Sequence, residues 1–288
     1  MKFAAGILAV TDFAEDVIRF SDALAVIKQC GFDQVMLLSG RDRGPVLRRG
    51  VTPDGAFVDL VASDLDVVAG QLQRAGLEPK VVFAAGIDTT TPEMAEVSAK
   101  WLLAMSKAAM RLGSRYVGHN CGRAETSGMD VARKQDDIKR LAEVVDEVAG
   151  AMPMIHYGVD IHYHGTIESV ADCEYYLEQL SCKNAGLLMN MGHLTTCQQP
   201  GWELVRNYPD RTPIIAWKDH FAGTDRPRPA ASFQLGTADA PFEKYAQVIK
   251  PQTTDRAHVI SIEGLPEAER VDALRASRLY IEDLWDRT

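Results

Sequence analysis

VDIHYHG, residues 159 to 165, ends a short apolar run on two histidines spaced two apart. Side chains alternate along a strand, so the stretch predicts a strand carrying His162 and His164 together at its carboxyl end. Seven other segments have a similar build: FAAGILAV (3 to 10), FDQVMLLSG (32 to 40), EPKVVFAAG (78 to 86), SRYVGHNCG (114 to 122), AGLLMNMGH (185 to 193), TPIIAWKDH (212 to 220) and AHVISIEG (257 to 264). Their apolarity is continuous rather than alternating, as in parallel strands buried on both faces. Five of the seven histidines in the chain, His119, His162, His164, His193 and His220, follow such runs. In a parallel sheet the carboxyl ends share one rim, so these side chains are expected to converge.

Between the strands lie segments of helical period. Val97, Trp101, Met105 and Ala108 recur at three and four between Met94 and Leu112, Ile138, Leu141, Val145 and Val148 do so between Asp130 and Val148, and Pro266 to Trp285 predicts a terminal helix. Glycines in CGF (30 to 32), AGL (75 to 77), LGS (112 to 114) and AGL (185 to 187) fall between helix and strand, where a left-handed residue commonly ends a helix. Eight repeats of strand, loop and helix predict a (β/α)8 TIM barrel, an α/β fold. A doubly wound sheet is the weaker alternative, because no GxGxxG follows the first strand. With 288 residues and no Pro/Ser/Gly-rich linker, charge run or low-complexity tract, one domain spanning 1 to 288 is expected.

Composition narrows the partners. A net charge of −9 opposes binding to a nucleic acid, which needs clustered cations to displace counterions. The one basic cluster, RDRGPVLRR (41 to 49), reads as a solvated loop, or as a loop from which Arg41 meets an anionic group on a substrate. No stretch approaches the roughly 20 apolar residues of a membrane span, and MKFAAGILAV reads as a first strand rather than a signal peptide. Five cysteines without CxxC spacing argue against a disulfide framework, which fits a cytoplasmic protein. A small-molecule substrate is the expected partner, with a homo-oligomer left open.

The expected site draws on the strand ends: Thr11, Arg41, His119, Asn120, His162, His164, Asn190, His193, Lys218, Asp219, His220 and Glu263. Lys218 and Asp219 are also candidates for a mutual ion pair, and Cys121 for a thiol beside His119. His156 and His258 precede their strands and belong on the opposite face. No GxSxG elbow, P-loop or HExxH is present.

Four motifs in order give a family resemblance covering essentially the whole chain. VDIHYHG resembles a strand ending in Glu-x-His, LLMNMGHL (187 to 194) an Asp-x-Gly-His, IIAWKD (214 to 219) a His-x-Lys-Asp, and ISIEG (260 to 264) a closing strand that supplies a glutamate. QLGTADAPFEKYAQVI (234 to 249) resembles the loop and helix after the seventh strand. Together they resemble the xylose isomerase-like TIM barrels, among them sugar phosphate isomerases, ketose 3-epimerases, inosose dehydratases and a family of AP endonucleases.

Members of that family usually hold a divalent cation with Glu, Asp, His and Glu. Those positions here are His162, Asn190, Ala216 and Glu263, so only Glu263 is retained. A hard cation loses most of its ligands by such changes. No cofactor is therefore favoured; the alternative is zinc or manganese, zinc held by a rebuilt set drawn from His162, His193, His220 and Glu263. The resemblance implies proton abstraction next to a carbonyl of a sugar, polyol or related compound, by a lyase/dehydratase or an isomerase/epimerase. Glu263 is then the expected base, His162 and His164 the acid and orienter, and Lys218 the electrophile, with His193, Asn190, His119, Asp219, His220 and Arg41 around the substrate. Because His162 replaces one of two facing carboxylates, elimination is expected ahead of epimerisation. A barrel that has lost catalysis, and binds a ligand or serves as a subunit of a larger complex, is the alternative of another class. An apurinic-site nuclease is disfavoured for want of a metal cluster and a cationic groove.

Overall fold

A computed structural model describes residues 1–10, 19–40, 60–61, 63–122, 130–225, 228–229 and 231–288. Thr11, Arg41 and the rest of the basic cluster lie outside these residues.

Eight parallel strands close into a barrel in sequence order: β1 Ala4–Gly6, β2 Gln34–Gly40, β3 Glu78–Ala85, β4 Tyr116–Asn120, β5 His156–Asp160, β6 Ala185–Asn190, β7 Ile214–Trp217 and β8 Ala257–Ile260. Closure is made by β1 on β8, with Ala4 opposite Val259 and Ala5 opposite Ile260. The (β/α)8 expectation holds. Around the barrel run α1 Phe20–Gln29, α2 Leu65–Ala75, α3 Pro92–Arg111, α4 Val131–Ala151, α5 Val170–Gln179, α6 Met191–Thr196, α7 Gly201–Asn207, α8 Phe242–Ile249 and α9 Glu267–Arg287.

The alternation of each strand sorts its side chains into two cores. Met36, Val81, Tyr116, Leu188, Ile214 and Val259 pack inside the barrel, while Val35, Leu37, Val82, Val117, Leu187 and Ile215 face the helices. Sequence signals set the helix limits. Thr91 accepts from the Met94 N–H at 3.2 Å with Pro92 in the first turn, Ser169 and Asp172 form a capping box on α5, and Gly76 ends α2 in the left-handed conformation at φ 66°.

Five strand ends depart from expectation, β7 stopping at Trp217 and β8 at Ile260, short of residues 220 and 264. Residues 7–10 form a 3₁₀ turn rather than extending β1. The run AGLLMNMGH stops being a strand at Asn190, whose side chain caps α6, so His193 is helical. The fifth strand is His156–Asp160, not 159 to 165, and residues 162 to 165 form a turn closed by the Gly165 N–H on the His162 carbonyl at 2.8 Å. Val97, expected on the packed face of its helix, is exposed, and Leu102 and Ala109 take the core positions of α3. His156 and His258 lie at the amino ends of β5 and β8, as expected.

Candidate active site

The inward-facing positions of β5 through β8 continue past the strand ends into one cavity of about 440 Å³ at the carboxyl face. Its polar lining is formed by Asn120, Asp160, His162, Asn190, Lys218, Ser261 and Glu263. Asp160, the last residue of β5, is the chief residue that sequence reasoning missed. Period two read backwards from His162 places it on the same face, but an acid inside an apolar run reads as an interruption rather than as a site.

Lys218 is buried, 4% exposed, and its Nζ lies 2.9 Å from Glu263 Oε1; Glu263 is ringed by protein with 30% of its side chain open to the cavity. Ser261 Oγ donates to the same Glu263 oxygen at 3.1 Å. Burial pushes the Glu263 carboxyl up, but Lys218, by charge and hydrogen bond, outweighs it and with His162 and Ser261 holds the group below its ordinary value. Asp160 moves the other way. Burial drives its carboxyl above the ordinary value and the charge of Glu263 adds to that, against the opposing pull of His162, Lys218 and the Asn190 amide. Asn190 Nδ2 donates to Asp160 Oδ1 at 2.9 Å. One cavity thus holds two carboxyl groups whose proton affinities are driven apart.

His162 faces this cavity, with Nδ1 2.6 Å from the Tyr163 carbonyl oxygen. A carbonyl only accepts, so Nδ1 carries the proton there and Nε2 is left with the lone pair of the neutral ring. His164 does not accompany it. The strand alternation that would align the two ends at Asp160, and His164 turns away at φ 62°, its ring edge-on to Tyr163 and its backbone N–H on Glu168 Oε2 at 3.0 Å.

The remaining histidines lie behind the cavity rather than in it. His193 is 1% exposed, packs against His162 with ring centroids 3.8 Å apart and planes tilted by 35°, and finds no hydrogen-bond partner for either ring nitrogen. His220 touches His193 edge-on at 4.8 Å, with Nδ1 3.0 Å from Thr196 Oγ1 and Nε2 3.0 Å from Ser232 Oγ. Burial pushes His193 well below its ordinary value and His220 down to about 2. His119 is fully buried on the outward face of β4 and held down to about 4 by burial. Its neighbour Asn120 faces the cavity and pins the loop after β3 through Ile87 N–H and C=O at 2.9 and 2.8 Å.

Asp219 does not pair with Lys218. It alternates to the outside of the barrel, where Oδ2 accepts the N–H groups of Gly236, Thr237 and Ala238 at 2.8 to 3.0 Å and Oδ1 that of Ala240 at 3.0 Å. The residue organises the loop after β7. Cys121 is buried and pushed up to about 12, a thiol without nucleophilic character.

The donor set does not fit a resident divalent cation. Among the described residues no three His, Cys, Asp or Glu side chains are gathered as ligands. The Lys218 ammonium occupies the cationic position against Glu263. The expected zinc set of His162, His193, His220 and Glu263 is not arranged as ligands either, although the three rings touch in series. The rings of His162 and His193 lie face towards face, 3.8 Å apart and tilted by 35°, rather than edge-first around a common point, and both nitrogens of His220 are engaged elsewhere.

Neither family models nor curated proteins match the sequence. Solved structures do match in fold. A xylose isomerase domain protein from Alicyclobacillus acidocaldarius superposes with a TM-score of 0.71 at 15% identity, covering 99% of this chain and 98% of that one. A D-psicose 3-epimerase from Clostridium cellulolyticum gives 0.74 at 11% identity, over 99% of each chain. An IOLI protein with a bound zinc atom gives 0.72 at 14% identity, over 100% of this chain and 99% of that one. With the closed parallel barrel and its site at the carboxyl face, these likenesses show that the chain has the fold of the xylose isomerase-like TIM barrels.

Proposed function

We propose that the protein catalyses proton transfer at a carbon next to a carbonyl of a small molecule, using Lys218 rather than a metal as its electrophile. The observation that carries this is the opposite displacement of Asp160 and Glu263 within one cavity, with Lys218 bound to the second. A carboxylate held down by an ammonium is a poor proton acceptor, so Glu263 serves to position and charge Lys218. Asp160, with its raised proton affinity, is the stronger base of the two.

In the step itself Asp160 removes the C–H proton, and the C–H electron pair becomes the new C–C π bond. The carbonyl π electrons move onto oxygen, where the Lys218 N–H groups meet the developing charge. His162 Nε2 takes or returns the proton of the neighbouring hydroxyl. Return of the proton to carbon gives isomerisation or epimerisation; loss of a β substituent gives elimination. The expectation favouring elimination rested on a single carboxylate in the site, and Asp160 removes that ground. The fold does not decide between the two, since its solved examples include both an epimerase and a dehydratase.

The test is exchange of solvent deuterium into the C–H next to the carbonyl of small α-hydroxy ketones, followed by proton NMR in EDTA. Wild-type protein is expected to exchange and Lys218→Met to lose at least about a hundred-fold in rate, the scale of one removed oxyanion donor. Activity that vanishes in EDTA and returns with zinc or manganese would overturn the role of Lys218. Binding without any exchange would favour a barrel that has given up catalysis.

A further inference from the structure

The cavity has two unlike sides. Asp160, His162, Lys218 and Glu263 lie at or just past the carboxyl ends of β5, β7 and β8. The described residues facing them from β2 and β3 are apolar: Met36, Leu38 and Phe83 among them. The deeper positions are apolar as well, with Leu188, Ile214 and Val259 at most 2% exposed. None of these six offers a hydrogen-bond donor from its side chain, and the weak thioether of Met36 is the sole acceptor among them. A bound polyol would bring hydroxyls against that wall, and each one left without a partner costs on the order of ten-fold in affinity.

We infer that the substrate is an α-hydroxy ketone with an apolar body, alkyl, cyclic or aryl, rather than a polyhydroxylated sugar. The inference rests on the reading of the polar side as an enolising site, and adds what lies on the other end of the molecule. The hydroxy ketone head meets Asp160, His162 and Lys218, and the apolar body fills the half of the barrel under β2 and β3. At about 440 Å³ the cavity lies in the lower part of the roughly 300 to 1,000 Å³ typical of small-ligand sites, room for a compact body and not for a long chain. The cation of the described lining, Lys218, is already paired with Glu263 at 2.9 Å, which favours a neutral head over an anionic one.

The test compares molecules that share the head and differ in the tail. Hydroxyacetone, 1-hydroxy-2-butanone, 1-hydroxy-2-pentanone, 1-hydroxy-2-hexanone and 2-hydroxyacetophenone are set beside a ketohexose. Binding is read by thermal shift and isothermal titration, and chemistry by deuterium exchange. Affinity should rise about four-fold per added methylene, the worth of about 0.8 kcal/mol of buried CH₂, and the aryl ketone should bind at least ten-fold tighter than the ketohexose. Val259→Thr, nearly isosteric, should narrow that gap. A ketohexose that binds and exchanges better than the alkyl series overturns the apolar substrate while sparing the enolising site. An alkyl series that tightens as stated without exchange upholds the apolar substrate and overturns the enolising site. A flat alkyl series overturns the inference outright.

Discussion

Asp160 concentrates the tension of the molecule in a single side chain. A carboxyl group buried at the carboxyl end of a barrel strand, sharing its cavity with Leu188, Ile214 and Val259, resists ionisation, and the neighbouring negative charge of Glu263 adds to that resistance. Such a group binds its proton more tightly in the folded than in the unfolded chain. Its presence therefore costs nothing at low pH, and the cost appears as pH rises above the ordinary carboxylate range of about 4 toward the raised folded value. Asp160→Asn removes that cost and keeps an acceptor for the Asn190 amide, 2.9 Å away. The variant should melt above the wild type at pH 8 and converge with it near pH 4, each unit of displacement being worth about 1.4 kcal/mol. It should at the same time lose about 10³ in kcat, within the range spanned by a general base. Thermal melts across pH check the first arm and deuterium exchange the second. A variant less stable than wild type at pH 8 would mean that Asp160 is held as a structural anion.

The ends of the strands, where chemistry sits, were the least legible part of the sequence. Interiors of β3 and β6 were found to within a residue or two, since a continuous run such as KVVFAA or GLLMN specifies a strand buried on both faces whatever follows it. Beyond the last ladder bond the period of two has no physical basis. His162 keeps the inward phase of Asp160, but His164 enters the turn to Gly165 and leaves it. The same reasoning separates Lys218 from Asp219: adjacent residues face opposite sides, and only the first reaches the cavity. Composition could not show that Asp219 has four backbone N–H groups waiting for it on residues 236 to 240. That network predicts a structural phenotype. Asp219→Ala should lower stability by about 3 kcal/mol, because donors formerly bonded to a charge are left with water or nothing. Well below its melting temperature the variant should keep kcat within a few fold of wild type. A hundred-fold loss in the well-folded variant would return Asp219 to the substrate.

On the scale of the whole barrel, the histidines that invited a metal-site reading become an acid-sensitive core. His119, His193, His220 and His258 are at most 8% exposed. Burial is the largest cause in each case, pushing His119 to about 4, His258 to about 3, His220 to about 2 and His193 well below its ordinary value. The folded chain keeps these rings neutral, while the unfolded chain protonates them below about 6.5. The unfolded state then binds more protons, so stability is intact above about pH 6.5 and falls as pH drops toward the folded values. Each ring contributes a slope of roughly 1.4 kcal/mol per pH unit, and the four together roughly 5.5. Asp160 and Asp219, both raised by burial, work in the opposite direction and recover part of that slope. Against a typical total of about 5 to 15 kcal/mol, the loss is enough to unfold the barrel between about pH 6 and pH 4. Urea melts at pH 7.5, 6.5, 5.5 and 5.0 should show a flat plateau and then a steep descent. His258 lies at the amino end of β8, away from the cavity, with Nδ1 accepting from Trp217 Nε1 at 3.2 Å. His258→Gln retains an acceptor and cannot titrate, so it should lower the acid slope by about one proton and leave deuterium exchange at pH 7.5 unchanged. A wild-type midpoint that stays constant from pH 7.5 to 5.0 would show that water or a neighbouring acceptor reaches these rings and lets them protonate in place.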